Sequence, residues 1–253
     1  MIRLITRGDD AGSSATANRA IRDACVDGIL LNVSVMVCCD SIEDAADQLR
    51  SLDHVCFGFH ATLNAEWGKV RWGSTARPSD VPTLVRPDGT FFPRVGELEA
   101  NGPLLDQAMA ELQAQFDRGK QLGFDFRYAD QHMGFGRAVP GFEETFDRWC
   151  TAEGILNFRH YHKRLPWVKD YVGGPAEQLI ASLDAADPGQ WAIVGHPGYE
   201  TEELQLIGNE RVDGVEEAKA RDGQRRWFMD PKVIAYFDTH DIEAIRYDEA
   251  EEI

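Results

Sequence analysis

The sequence predicts an α/β fold of about seven parallel strands with outer helices. They close on themselves as an incomplete or distorted barrel, with an open doubly wound sheet as the alternative. Seven short apolar segments recur along the chain, and a helical pattern follows most of them. Such alternation makes the strands parallel and puts the helices outside. No linker, internal repeat or low-complexity tract divides the 253 residues, so residues 1–253 are expected to form one domain with a sizeable core.

The first strand is Ile2–Thr6. It leads through Gly8-Asp9-Asp10-Ala11-Gly12 and Ser13-Ser14 into a helix with a small apolar face, Ala17, Ala20, Ile21, Ala24 and Cys25. Gly28 stands where a helix C-terminus favours a left-handed residue. Ile29–Cys38 is the second strand, and Ser41-Ile42-Glu43-Asp44 reads as a capping box for a helix that runs to Leu52. Val55–Leu63 is the third strand. Over residues 64–100 periodicity stops, and Trp67, Trp72, Pro78, Pro82, Pro87 and Pro93 punctuate a long connection. Inside a domain, a connection of that length is expected to be a lid or substrate loop.

Order resumes at Pro103, where Leu105, Met109, Leu112 and Phe116 mark one helical face up to Gly123. Strand four is Phe124–Met133, followed by a helix through Phe142, Phe146 and Trp149. Strand five is Ile155–Tyr161, Ala176–Leu183 is helical, and Trp191–Gly195 is strand six. Helices over Glu216–Phe228 and Val233–Phe237 precede strand seven, Ile242–Tyr247. The terminal Asp248-Glu249-Ala250-Glu251-Glu252 reads as a solvated acidic tail.

Composition narrows the partners. With 43 acidic and 26 basic residues the formal charge is -17, a field that repels phosphate backbones and anionic lipid. Nucleic acid and membrane surfaces are therefore not expected. A neutral or cationic small substrate fits better, although an acidic solubilising surface gives the same count. No apolar run approaches the ~20 residues of a membrane span, and the N-terminus lacks a signal-peptide pattern. The five cysteines show no CxxC spacing. They read as small buried residues of a reducing cytoplasm. Cys38 and Cys39, adjacent on a strand, face opposite ways and do not easily share an ion.

The chemistry-bearing residues fall at strand ends. Asp9 and Asp10 follow strand one, and His60 lies in Gly58-Phe59-His60-Ala61-Thr62-Leu63 on strand three. Asp130-Gln131-His132 closes strand four, and Gly195-His196-Pro197-Gly198 closes strand six. Parallel α/β folds gather their strand C-termini at one edge, which carries the active site. Each residue has a plainer reading. Asp9 or Asp10 could cap a helix, His60 could be a satisfied core histidine, and His196 a turn residue held extended by Pro197. Asp130 could orient a histidine or be a surface charge. Of Arg159, His160 and His162, at least one is expected to face the mouth. Trp67, Trp72, Phe91 and Phe92 could stack on a sugar face or pin the loop. Taken together, two histidines and one carboxylate leave positions of a metal ion open for water and substrate. A second carboxylate beside them can act as general base. That set predicts hydrolysis of an amide or ester. There is no G-x-S-x-G elbow, no phosphate-binding G-x-x-x-x-G-K-[ST] loop and no G-x-G-x-x-G.

In these residues the chain resembles the YdjC/ChbG-like carbohydrate deacetylases, relatives of the NodB-type polysaccharide deacetylases. The family's opening Asn-Ala-Asp-Asp-Phe-Gly is similar to Arg7-Gly8-Asp9-Asp10-Ala11-Gly12. Its Gly-x-His-x-x-Leu-Thr is similar to Gly58-Phe59-His60-Ala61-Thr62-Leu63-Asn64, its Asp-x-His to Asp130-Gln131-His132, and its Cys-His-Pro-Gly to Gly195-His196-Pro197-Gly198. The middle loop, with Pro82-Thr83-Leu84-Val85 and Asp88-Gly89-Thr90-Phe91-Phe92-Pro93, is also similar. The chain departs from the pattern at Arg7, Gly8 and Ala11, and at Met133-Gly134-Phe135-Gly136, where further histidines often follow. The resemblance implies a TIM-barrel-like fold and removal of acetyl groups from a small N-acetylated sugar or oligosaccharide. It implies one divalent cation, Mg²⁺ or Zn²⁺, on Asp10, His60 and His132, with Asp9 as general base and His196 as acid or oxyanion stabiliser. Asp130, Arg159 and Trp67 are the supporting or substrate-facing candidates, and a homodimer is allowed. The alternatives are hydrolysis of another amide or ester, and an idle sugar-binding protein on the same scaffold.

Overall fold

Seven strands, all paired in parallel, build the sheet at the centre of the computed structural model, which describes residues 1–169 and 171–253. The strands are β1 (Ile2–Ala11), β2 (Asn32–Val35), β3 (Cys56–Ala61), β4 (Phe126–Gln131), β5 (Leu156–Asn157), β6 (Gly189–Gly195) and β7 (Ile242–Ile245). The helices are α1 (Ala15–Asp27), α2 (Ile42–Leu49), α3 (Val95–Ala100), α4 (Leu105–Gln121), α5 (Phe142–Glu153), α6 (Pro175–Asp184), α7 (Gly214–Met229) and α8 (Pro231–Thr239). The sheet order is β5-β4-β3-β2-β1-β6, and β7 also pairs with β1.

Three partners for β1 require one of its edges to be shared. β6 runs along Ile2–Gly8, whereas β7 takes Ile2–Ile5 and β2 takes Arg7–Ala11. Buried Asn32 ties the junction, donating to the carbonyls of Thr6 and Ile245 and accepting from the Tyr247 N–H. On the far side, Arg164 bridges to Ala192 of β6 shortly after β5 ends. The sheet thereby curls round as a distorted, TIM-barrel-like barrel. Outside it, Phe59 meets Phe116 of α4 and Trp149 of α5, and Phe126 meets Phe116, with ring centroids 5.5 to 5.8 Å apart. Each fully buried aromatic of this kind contributes roughly 1.5–3 kcal/mol through lost contact with water.

Several local expectations are corrected. β2 and β5 are shorter than their apolar runs, because the flanking residues turn off toward the next helix. Cys38-Cys39 therefore lies in a turn after β2 rather than on a strand. All five cysteines are free and buried. Gly28 is not left-handed; its φ is -131°. Glycine is needed because a Cβ there would stand 2.1 Å from the Phe228 carbonyl oxygen. Ser41 precedes α2 but makes no side-chain capping bond. The acidic end is not a free tail. Gln190 binds Glu251 through both its amide groups, and Ile253 N–H donates to the His160 carbonyl.

Candidate metal centre

Strand alternation sets what faces the barrel interior. Ile5, Arg7 and Asp9 of β1 point inward, as do Cys56, Gly58 and His60 of β3 and Tyr128 and Asp130 of β4. The lower members, Ile5, Cys56, Tyr128, Ala192, Ile245 and Tyr247, form an apolar cluster of their own. The polar members lie above it, at the strand C-termini. Gly58 makes room for this floor, since a Cβ there would meet the Tyr128 ring at 2.1 Å. Register then lines up the site. His60 pairs with Asp130, and Gly8 pairs with Gly195, so the next inward residues, Asp9 and His196, stand level.

Asp10 should point outward by alternation. It does not, because β1 inserts one extra residue against β2 between Gly8 and Ala11, and Asp10 adopts φ 68°. Asp tolerates that left-handed conformation better than most residues. A bulge of this kind re-aims a side chain. Here it brings two consecutive carboxylates to one mouth.

Asp10 Oδ1 lies 3.6 Å from His60 Nε2 and 3.5 Å from His132 Nδ1, and those two nitrogens are 3.3 Å apart. Ligands held 2.0–2.2 Å from a tetrahedral ion are separated by about 3.3–3.6 Å. Asp10 Oδ1 is buried without a hydrogen-bond donor, as an oxygen reserved for a cation would be. The residues thus fit a metal ion. Each histidine also has a carboxylate on its other nitrogen. His60 Nδ1 is 2.7 Å from Asp130 Oδ1, and His132 Nε2 is 2.8 Å from Glu66 Oε2. Such partners fix ring orientation and raise ligand basicity.

Two buried arginines complete the arrangement. Arg221 of α7 donates to Asp10 Oδ2 at 2.8 Å and to Glu217 at 3.0 Å, which leaves Oδ1 facing the histidines. Arg7 contacts Asp9 at 2.8 and 3.0 Å and Asp130 at 2.8 Å. Among the described residues the carboxylates Asp9, Asp10, Glu66 and Asp130 meet two guanidinium groups, so with both histidines neutral, as metal ligands must be, the centre is anionic. Burial alone would raise the Asp10 carboxyl, but the Arg221 guanidinium and the adjacent His132 hold it well below its usual range. Burial also opposes ionisation of Asp130, yet Arg7 and His60 bring it down to about 2. Both histidines rise above their ordinary value despite burial, His60 through Asp130 and Asp9, His132 through Glu66 and Asp10.

The other candidates are placed as follows. His196 is half-buried at the end of β6, where the Gln224 Oε1 accepts from its backbone N–H and lies 3.1 Å from Nδ1. Gln224 Oε1 can only accept, so Nδ1 carries the hydrogen and Nε2 is left for the mouth. Arg159 does not face the mouth. β5 ends after two residues, and a tight turn sends Arg159 outward to Glu143 at 2.7 Å. The inward residue of that stretch is His162, 3.0 Å from the Tyr247 hydroxyl. Trp67 is only 7% exposed and lies under the Arg221 guanidinium, 5.5 Å from ring centre to cation. Trp72 sits edge-on to His132 and donates to the Asn64 carbonyl. Beside Glu66 and Met133 a cavity of about 510 Å³ opens, lined also by Arg71, Arg94 and Arg211.

Sequence reasoning missed Glu66 and Arg221. Glu66 begins the aperiodic loop. Arg221 is one of many charges on α7, and nothing local distinguishes it.

A family model described as YdjC-like protein matches residues 3–239. A carbohydrate deacetylase of Thermoanaerobacter pseudethanolicus is 23% identical over 96% of this chain and 97% of its own. A chitooligosaccharide deacetylase of an Enterobacter species is 27% identical over 60% of this chain and 57% of its own. A crystal structure of an Enterococcus faecalis protein named for cellobiose-phosphate cleavage superposes with a TM-score of 0.73 at 16% identity, covering 98% of both chains. That likeness shows the fold.

Proposed function

The chain belongs to the YdjC-like protein family, and we propose that it is a metal-dependent carbohydrate deacetylase acting on small N-acetylated sugars. The observation that carries this reading is the triangle of Asp10 Oδ1, His60 Nε2 and His132 Nδ1, with edges of 3.3 to 3.6 Å, next to the unligated Asp9. The names of the related deacetylases support the substrate class.

A divalent ion bound by the triad, Mg²⁺ or Zn²⁺, would polarise an acyl carbonyl and acidify water. The rest falls to the chain. Arg7 holds Asp9 through a hydrogen bond to Oδ2, and Oδ1, which accepts none, keeps its lone pairs to take a proton from the attacking water. His196, level with Asp9 on the neighbouring strand, acts from its imidazolium form, giving the Nε2 proton to the leaving amine and remaining as the neutral ring with its hydrogen on Nδ1. Gln224 keeps its ring in the orientation this needs. Residues 64–100 act as the substrate loop of a single domain over 1–253. Its cavity beside Glu66 accommodates the sugar beyond the scissile amide. The buried free cysteines suit a reducing cytoplasm, and no helix among the described residues is long and apolar enough to cross a membrane.

The test is acetate release from a panel of N-acetylated oligosaccharides, after chelation and reloading with Zn²⁺ or Mg²⁺. Release that depends on the restored ion is expected. Release that survives complete chelation, or none with any ion on any sugar, overturns the proposal.

A further inference from the structure

Asp9, His60 and Asp130 form a second group whose ligand atoms all lie within 4.8 Å of one another, and it shares His60 with the first. Two buried carboxylates at such range repel unless a cation stands between them. In this chain the cation is covalently attached. Arg7 is 6% exposed. Its Nη2 donates to Asp9 Oδ2 at 3.0 Å, its Nε stands 2.8 Å from Asp9 Oδ1 as an ion pair outside hydrogen-bond geometry, and its Nη1 lies 2.8 Å from Asp130 Oδ2 and 3.3 Å from the Tyr247 hydroxyl. Phe158 closes one face, 5.2 Å from the guanidinium carbon.

We infer that the Arg7 guanidinium is the built-in second cation of this centre, occupying the position a second metal ion would otherwise take and holding the centre to one ion. The inference rests on reading Asp10, His60 and His132 as the metal site. The physical argument is competition for the same space. A metal between Asp9 and Asp130 would have to stand where the guanidinium already stands, 2.8 Å from each of the two carboxylates, and the arginine carries its charge permanently. The guanidinium holds Asp9 by charge and one hydrogen bond and leaves Oδ1 without one, whereas a dipositive ion would draw Asp9 into coordination. Arg7 therefore neutralises the pair and leaves Asp9 available for proton transfer.

The test counts bound zinc. Chelated protein is dialysed against buffered free Zn²⁺, bound metal is measured by elemental analysis, and folding is checked by circular dichroism. Wild type is expected to hold one equivalent, and Arg7→Lys, which keeps a cation, also one. Arg7→Ala should take two, and Arg7→Ala combined with Asp9→Asn should return to one, because the new position loses a ligand. One equivalent in folded Arg7→Ala, or two in wild type, overturns the inference. Should Arg7→Ala fail to fold, Arg7→Gln, neutral and close in size, takes its place with the same expectation of two. Wild type with no zinc defeats the Asp10–His60–His132 reading instead. The inference then stands or falls on whether the neutral variant gains an equivalent.

Discussion

Asp9 and Asp10 are neighbours in sequence yet meet different partners, and the difference gives a paired prediction. Asp9 is engaged by Arg7, whereas Asp10 turns one oxygen to Arg221 and the other to the histidines. Asp9→Asn is expected to keep the metal and lose about 10²–10⁴-fold in turnover, the usual worth of a positioned base. Asp10→Asn, His60→Ala and His132→Ala should each empty the site. Metal analysis beside kinetics checks this, and an empty site in Asp9→Asn with a full one in Asp10→Asn would reverse the two roles.

His196 can be separated from a turn residue by its dependence on leaving group. An amine must be protonated as the C–N bond breaks, whereas a nitrophenolate leaves unaided. His196→Ala should therefore lose about 10²–10⁴-fold on an N-acetylated sugar and far less on 4-nitrophenyl acetate. Equal losses on both substrates would mean that the residue only shapes the loop.

At the scale of elements, the long loop after β3 is held by a residue of α4. Buried Glu111 accepts from the backbone N–H groups of Thr75 and Ala76, each at 2.8 Å, and from Gln115. Burial outweighs these donors and pushes the carboxyl up to about 7. Because its value in the fold lies above the ordinary one, the protonated form is the one that folding favours. Its contribution is full below the ordinary carboxylate range and is lost as pH rises through about 7. Thermal midpoints of wild type and Glu111→Gln should diverge in the variant's favour between pH 5 and 8, by about 2–4 °C for each kcal/mol. A constant gap across that range would show that Glu111 is not titrating. Glu111→Ala leaves two loop N–H groups without acceptors, at about 1–3 kcal/mol each if they stay dry. Faster proteolysis near residues 70–80 should follow.

The whole molecule couples the site to stability. The barrel interior is apolar at its floor and anionic at its mouth, so a divalent cation offsets charge that folding concentrates there. Binding to the folded state alone stabilises by about 2.7 kcal/mol at a hundredfold excess over Kd. Chelation should lower the thermal midpoint, and ion readdition should restore it. His60→Ala, lacking a ligand, should show no such response.

Much of this was legible in the chain. Strand–helix alternation is a local pattern, so the seven parallel strands and their order in sequence could be read directly. The positions of Asp9, Asp10, His60, His132 and His196 at strand ends were equally plain, because chain direction in a parallel sheet decides which ends meet. Only the tertiary structure decided what depends on register and on contacts between distant segments. The extra residue in β1 that turns Asp10 inward arises from its pairing with β2. Arg221 reaches Asp10 across 211 positions, and Arg7 meets Tyr247 across 240. Arg159, expected at the mouth, turns away because β5 stops after two residues. Periodicity reports which face a side chain takes on its own element, and carries no record of which charge will stand opposite once the elements pack.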